Sequence, residues 1–167
     1  KEAQEWWDRG KMDVLLIGRD RRIVEMARKV CAGLAQSPRL QVRDSDEAAQ
    51  YLFPDNGVSE PHLPALIVMD LNGSGTGEVD LLARTKADPW LRIVPFVVIS
   101  ASPDTADLRR SYLAGANSYV VRPESDQEME ATLRHLFRYW LDVNEPPPPA
   151  VGCAMRSRRG VHGRSSA

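Results

Sequence analysis

The sequence predicts an α/β fold: a five-stranded, parallel, doubly wound sheet with helices on both faces. Three observations predict it. The runs Val14-Leu15-Leu16-Ile17, Ala65-Leu66-Ile67-Val68-Met69 and Ile93-Val94-Pro95-Phe96-Val97-Val98-Ile99 are nearly unbroken apolar stretches, as in strands buried on both faces. Segments with helical spacing lie between and after them. The resulting order is βαβαβαβαβα with no internal repeat, and right-handed crossovers turn that order into one parallel sheet.

Taken in order, Lys1–Lys11 is a polar lead broken by Trp6 and Trp7. Adjacent residues cannot share one helix face, so at least one Trp is expected to pack on the body or on a partner. The first strand is expected near Met12–Ile17. The first helix runs from Arg21 to Gln36, with Ile23, Met26, Ala27, Val30, Cys31 and Leu34 apolar, Asp20 as N-cap and Ser37-Pro38 as stop. Leu40–Arg43 is a short second strand, and Asp46–Phe53 a short second helix. Pro54–Pro64 reads as a loop with a solvated His62. After the strand ending in Asp70, the glycine-rich Gly73-Ser74-Gly75-Thr76-Gly77 precedes a helix over Glu78–Ala87. A helix opened by Ser102-Pro103-Asp104, with Pro near its first position, ends at Gly115. Ser118–Val121 is the fifth strand. Ser125 and Glu128 form a capping box for the longest helix, to about Val143, with Met129, Leu133, Leu136, Phe137, Trp140 and Leu141 as its apolar stripe and His135 exposed.

At 167 residues the chain holds one domain plus tails. The boundaries are expected at 1–11 for the lead, 12–144 for the domain and 145–167 for a Pro-rich, then basic, disordered tail. Net charge is −1, which points to neither nucleic acid nor membrane. Four arginines and no acid lie from Val151 onward, read as a solubilising end rather than a nucleic-acid contact. No apolar run reaches the ~18 residues of a membrane span, and no signal-peptide pattern opens the chain. Two cysteines, Cys31 and Cys153, make neither a disulfide framework nor a metal spacing, which fits a reducing, cytoplasmic setting.

Several strands deliver polar groups to one sheet edge, where open α/β sheets place their chemistry. Asp70 closes the third strand, Ser100 the fourth, and Arg122, followed by Pro123, the fifth. The plainer alternative for Asp70 is a turn cap.

An Asp, a hydroxyl residue and a basic residue before Pro, at successive strand ends, resemble the receiver domain of two-component response regulators. The resemblance covers Met12 to about Val143. It adds Asn72, Lys86-Ala87-Asp88-Pro89, Val98-Ile99-Ser100-Ala101 and Gly115-Ala116-Asn117-Ser118-Tyr119. The last of these, with Tyr139-Trp140-Leu141 and Asn144-Glu145-Pro146-Pro147-Pro148, is similar to single-domain receivers that partner phytochrome-like and other sensor histidine kinases. The resemblance implies a flavodoxin-like sheet of strand order 2-1-3-4-5. It implies Asp70 as phosphoacceptor, Ser100 and Arg122 at the phosphoryl oxygens and Tyr119 as the switch residue. It also implies a Mg²⁺ held by an acidic pair after strand one, by Asp70 and by the carbonyl of Asn72.

The chain departs from that pattern. Gly18-Arg19 stands where the acidic pair belongs, Arg122 where the Lys belongs, and Asp20 lies one place past the pair. Mg²⁺ needs near-octahedral oxygen ligation with at least one or two carboxylates, so Asp70 with one carbonyl makes a weak or absent metal site. Two dispositions of Arg19 are open: a fork onto Asp70 that replaces the metal and lowers the Asp70 pKa, or a side chain turned out to solvent. Arg122 can pair with Asp70 from the other side.

The expected function is an atypical receiver without a cofactor, not an enzyme, signalling through contacts with a histidine kinase or another signalling protein. A homodimer through the fourth helix, fifth strand and last helix is a further expectation. The alternative is a working phosphoacceptor using Mg²⁺. A flavin or nucleotide site on the glycine loop is disfavoured, because the loop follows the third strand and Glu78 stands where a dinucleotide motif needs glycine.

Overall fold

The computed structural model describes residues 13–54, 63–72 and 76–147. The lead with Trp6 and Trp7, His62, the loop residues 73–75 and the basic tail with Cys153 lie outside the described residues. The strands are β1 (Asp13–Ile17), β2 (Arg39–Arg43), β3 (Leu66–Leu71), β4 (Phe96–Ser100) and β5 (Ser118–Val121). The helices are α1 (Arg21–Gly33), α2 (Ser45–Leu52), α3 (Thr76–Ala87), α4 (Thr105–Ala114) and α5 (Asp126–Arg138). The strands form one all-parallel sheet, as the apolar runs predicted, in the order β2-β1-β3-β4-β5 that the receiver resemblance implied.

Alternate strand residues supply two cores. Leu15, Ile17, Ile67, Met69, Phe96 and Val98 pack with Ala48, Leu52, Leu81 and Leu82 on the face covered by α2 and α3. Val14, Leu16, Leu66, Val68, Val97 and Ile99 pack with Ile23, Ala27, Val30, Met129, Leu133 and Phe137 on the face covered by α1 and α5. Cys31 belongs to the second core, and His135 is exposed.

Several boundaries differ from the sequence reading. Helix α1 ends at Gly33, three residues before Gln36. Leu34 turns extended, and its N–H donates back to the Cys31 carbonyl. Helix α2 starts at Ser45 because Asp44 caps it in a capping box with Glu47. Strand β4 begins at Phe96, since Leu91–Ile93 forms a tight helical turn. Pro103 precedes the α4 cap, Asp104, rather than occupying the first helical position. The last helix changes at Tyr139–Val143 into a wider turn that Asn144 ends.

Lys86, near the end of α3, links these layers. Its ammonium donates to the carbonyls of Val94 (2.7 Å) and Arg92 (3.2 Å). Burial pushes its pKa down from 10.5 to about 8. The folded amine therefore carries a penalty in full below pH 8, where both states are charged. Between about pH 8 and 10.5 the unfolded chain holds more protons, so this group's contribution to stability rises with pH. Lys86→Met is expected to flatten that rise, read as the difference between the two proteins' urea midpoints across pH 7–10.5.

Candidate functional site

The carboxyl ends of β1, β3, β4 and β5 meet at one edge. Asp70 is the fifth of six residues of β3, all of them buried, and is itself 3% exposed. The register sets Asp70 opposite Ile99 and Leu71 opposite Ser100. Ser100 in turn pairs with Val121, and the Arg122 N–H donates to the Ser100 carbonyl at 2.7 Å. The sheet thus brings Asp70, Ser100 and Arg122 to one edge, as their strand-end positions required.

Of the two dispositions open for Arg19 the structure takes the outward one, while Arg122 differs from expectation. Arg19 does not fork onto Asp70. Its guanidinium donates to Asp44 Oδ2 at 2.5 Å, and its side chain is 80% exposed. The register explains this: Ile17 pairs with Arg43 and the Gly18 N–H donates to the Arg43 carbonyl, so Asp44 stands beside Arg19. Arg122 donates to Asp20 Oδ2 at 2.5 Å, not to Asp70. That hydrogen bond holds the Asp20 carboxyl below its usual range. Asp20 also caps α1 by accepting from the Arg22 N–H.

Asp70 therefore lacks the partner expected for it, and its pKa shift has the opposite sign. Oδ2 accepts from the Asn72 amide at 3.4 Å, while Oδ1 is buried without a hydrogen-bond partner among the described residues. Burial raises the Asp70 pKa; Arg122 and Asn72 pull it down only in part, and Asp20 adds to the rise. Gly18 lies against this carboxylate, where an added Cβ would stand 3.0 Å from the Asp70 Cβ.

Glu78 and Asp44 are residues the sequence reading did not single out. An open cleft of about 260 Å³ is lined by Asp70, Asn72, Glu78, Asp44, Asp46, Gly18 and Arg19 among others. Burial raises the Glu78 pKa, and the Asp70 charge adds to it. The signal for Asp44 was available as the Asp44-x-x-Glu47 capping pattern directly after β2. No sequence signal marks Glu78 as a neighbour of Asp70. Among the described residues no three His, Cys, Asp or Glu side chains are grouped so as to hold a metal ion.

Ser100 is buried, and its Oγ accepts from the Ser102 N–H at 3.1 Å. Tyr119 is half-buried; its hydroxyl donates to the Ser102 carbonyl at 2.8 Å, and its N–H donates to the Tyr112 hydroxyl at 3.2 Å. The ring of Tyr119 is thereby tied inward to the segment that follows Ser100.

No family model matches the chain. A 109-residue stretch, 65% of this chain, is 33% identical to "Probable methanogenesis regulatory protein FilR2" of Methanothrix harundinacea and spans 70% of that protein. A 102-residue stretch, 61% of the chain, is 26% identical to response regulator Rcp1 of Synechocystis and spans 69% of it. Among solved structures, the phosphorylated cyanobacterial phytochrome response regulator RcpA superposes with a TM-score of 0.73 over 81% of this chain and 98% of that one, at 24% identity. The parallel 2-1-3-4-5 sheet, its strand-end Asp70 and these relatives identify the chain as a member of the response regulator receiver domains of two-component signalling.

Proposed function

We propose that this receiver signals through protein contacts and that Mg²⁺-dependent phosphorylation of Asp70 is impaired. The observation that carries the reading is the ion pair between Arg122 and Asp20. The acid nearest to the absent acidic pair is neutralised by a guanidinium, while position 18 is Gly and position 19 is an Arg turned onto Asp44. The donor set fits Mg²⁺ poorly: Asp70 and Asn72 are the ligands left by position, and neither charge balance nor coordination number is met. Asp70 is the phosphoacceptor position, Ser100 and Arg122 the phosphoryl-contact positions, and Tyr119 the switch residue.

Residues 12–144 form the signalling unit, in the cytoplasm, and act as a binding module rather than an enzyme. A sensor histidine kinase or another signalling protein is the partner class. A homodimer through α4, β5 and α5 is supported by the exposed Tyr112, Leu113, Val121 and Tyr139. Phe137 is fully buried and is not part of that surface.

The second reading, a working phosphoacceptor, is favoured by Asp70 Oδ1, which has no hydrogen-bond partner among the described residues, and by the Glu78 carboxylate in the same cleft. One experiment decides. The full chain is incubated with acetyl phosphate and Mg²⁺, and intact and peptide masses are measured. No phosphoryl adduct is expected on the native chain; an adduct on Asp70 overturns the impaired reading.

A Gly18→Glu, Arg19→Asp variant is expected to bind Mg²⁺ at about 10⁻³ M, as weak hard-ion sites do, read by Trp fluorescence. Because position 18 abuts Asp70, that variant is also expected to lose roughly 1–3 kcal/mol of stability, measured by urea unfolding without metal.

A further inference from the structure

We propose that the aromatic lead of this chain docks into an apolar groove at the opposite edge of the sheet, with Trp6 or Trp7 as the inserted side chain. The groove lies where β3 and β4 begin. Leu63, Pro64 and Ala65 form one wall, Ile93, Val94 and Pro95 a second, and Trp140, Leu141, Pro146 and Pro147 a third. It is far from the Asp70 edge and has no part in the phosphoryl chemistry.

Three observations select the lead as occupant. The first is position. The Ala65 N–H donates to the Asp13 carbonyl at 2.8 Å, so the chain enters β1 beside a residue that lines the groove. The second is reach. Trp7 is six residues before Asp13, and an extended chain covers about 3.3–3.6 Å per residue, so a stretch of roughly 20 Å is at hand and less is needed. The third is chemistry. Four prolines and an indole around an apolar floor suit a flat aromatic ring that stacks on them, the pairing by which aromatic side chains recognise proline-rich surfaces.

The segment after Pro147 also leaves from the groove. It runs on through Pro148, Pro149, Ala150 and Val151 into an Arg-, Ser- and Gly-rich sequence without one aromatic residue. It offers less apolar bulk than two indoles. In an extended lead, successive side chains point to opposite sides. A lead docked in that form would insert one Trp and leave the other outward, so the two single variants should differ.

The test uses the full chain with labelled methyl groups. Ring-current shifts of the Ile93, Val94 and Leu141 methyls are recorded for the native protein, Trp6→Ala, Trp7→Ala and the double variant, each over a range of protein concentrations. One single variant is expected to remove most of the upfield shift that the double variant removes. The effect should not depend on concentration, and the thermal midpoint should fall by roughly 3–6 °C. Unchanged methyl shifts in the double variant overturn the proposal, leaving Trp140 or the C-terminal segment as their source. A contribution that appears only as concentration rises also overturns it and assigns the groove to a second copy.

Discussion

Asp70→Asn is expected to stabilise the fold where Asp70 is ionised, because it removes a buried charge while keeping the shape of the side chain. Asp70 is 3% exposed, and its Oδ1 is buried with no hydrogen-bond partner among the described residues. Burial raises the pKa of this carboxyl above that of the unfolded chain. For an acid shifted upward, the favourable term is complete below the unfolded value of 3.8 and is lost as pH rises through the folded value. Above that folded value the native chain holds an ionised group that its surroundings disfavour.

Asn removes the charge and keeps an oxygen for the Asn72 amide, now at 3.4 Å from Oδ2. Urea unfolding of both proteins across pH 3–8 checks this. The gain should grow as pH rises through the folded pKa and shrink toward zero at the acid end, where Asp70 is protonated in both states. A loss at pH 7 would mean that the Asp70 charge is held by Arg122 more strongly than by its pairing with Asp20. The sign matters for function as well. A carboxylate retained at a cost to stability, at the strand end where a receiver keeps its acceptor, is the pattern of a functional position rather than of a turn cap.

How much of this was legible in the sequence depends on what each feature needs. The parallel sheet and its two helical layers follow from the apolar runs and helical spacing, and the meeting of Asp70, Ser100 and Arg122 from their strand-end positions, whereas the strand order came from the resemblance to receiver domains. The direction of Arg19 was not legible. It depends on the β1–β2 register, which brings Asp44 to the end of β1 and offers the guanidinium a nearer carboxylate than Asp70. The same holds for Arg122, whose choice of Asp20 over Asp70 turns on where the first residue of α1 begins. The Asp70 pKa went the other way because spacing reveals candidate partners but not burial, and here burial outweighs the nearby positive charge. Boundaries failed where a short turn replaced regular structure, as at Leu91–Ile93 ahead of β4.

The second large effect is expected at Gly115, which ends α4 with φ of 108°, a conformation L side chains rarely adopt. A Cβ there would lie 2.8 Å from Lys86 Cγ and 2.9 Å from Lys86 Cβ. Were Lys86 a free surface side chain, it would swing away at little cost. It is instead held by two carbonyls, of Arg92 and Val94, and is half-buried. Gly115→Ala thus meets backbone strain of roughly 1–2 kcal/mol and an overlap of roughly 1–3 kcal/mol. Together they predict a loss of about 2–5 kcal/mol, measured by urea unfolding.

The two causes separate in a double-mutant cycle with Lys86→Ala. Shortening Lys86 removes Cγ from the contact, so the steric part of the Gly115→Ala cost should shrink while the backbone part stays. A coupling of about 1 kcal/mol or more, with a residual cost near 1–2 kcal/mol, supports that division. If the cost is unchanged in the Lys86→Ala background, the Cγ overlap contributes nothing and the glycine is required by the left-handed turn together with the retained Cβ contact.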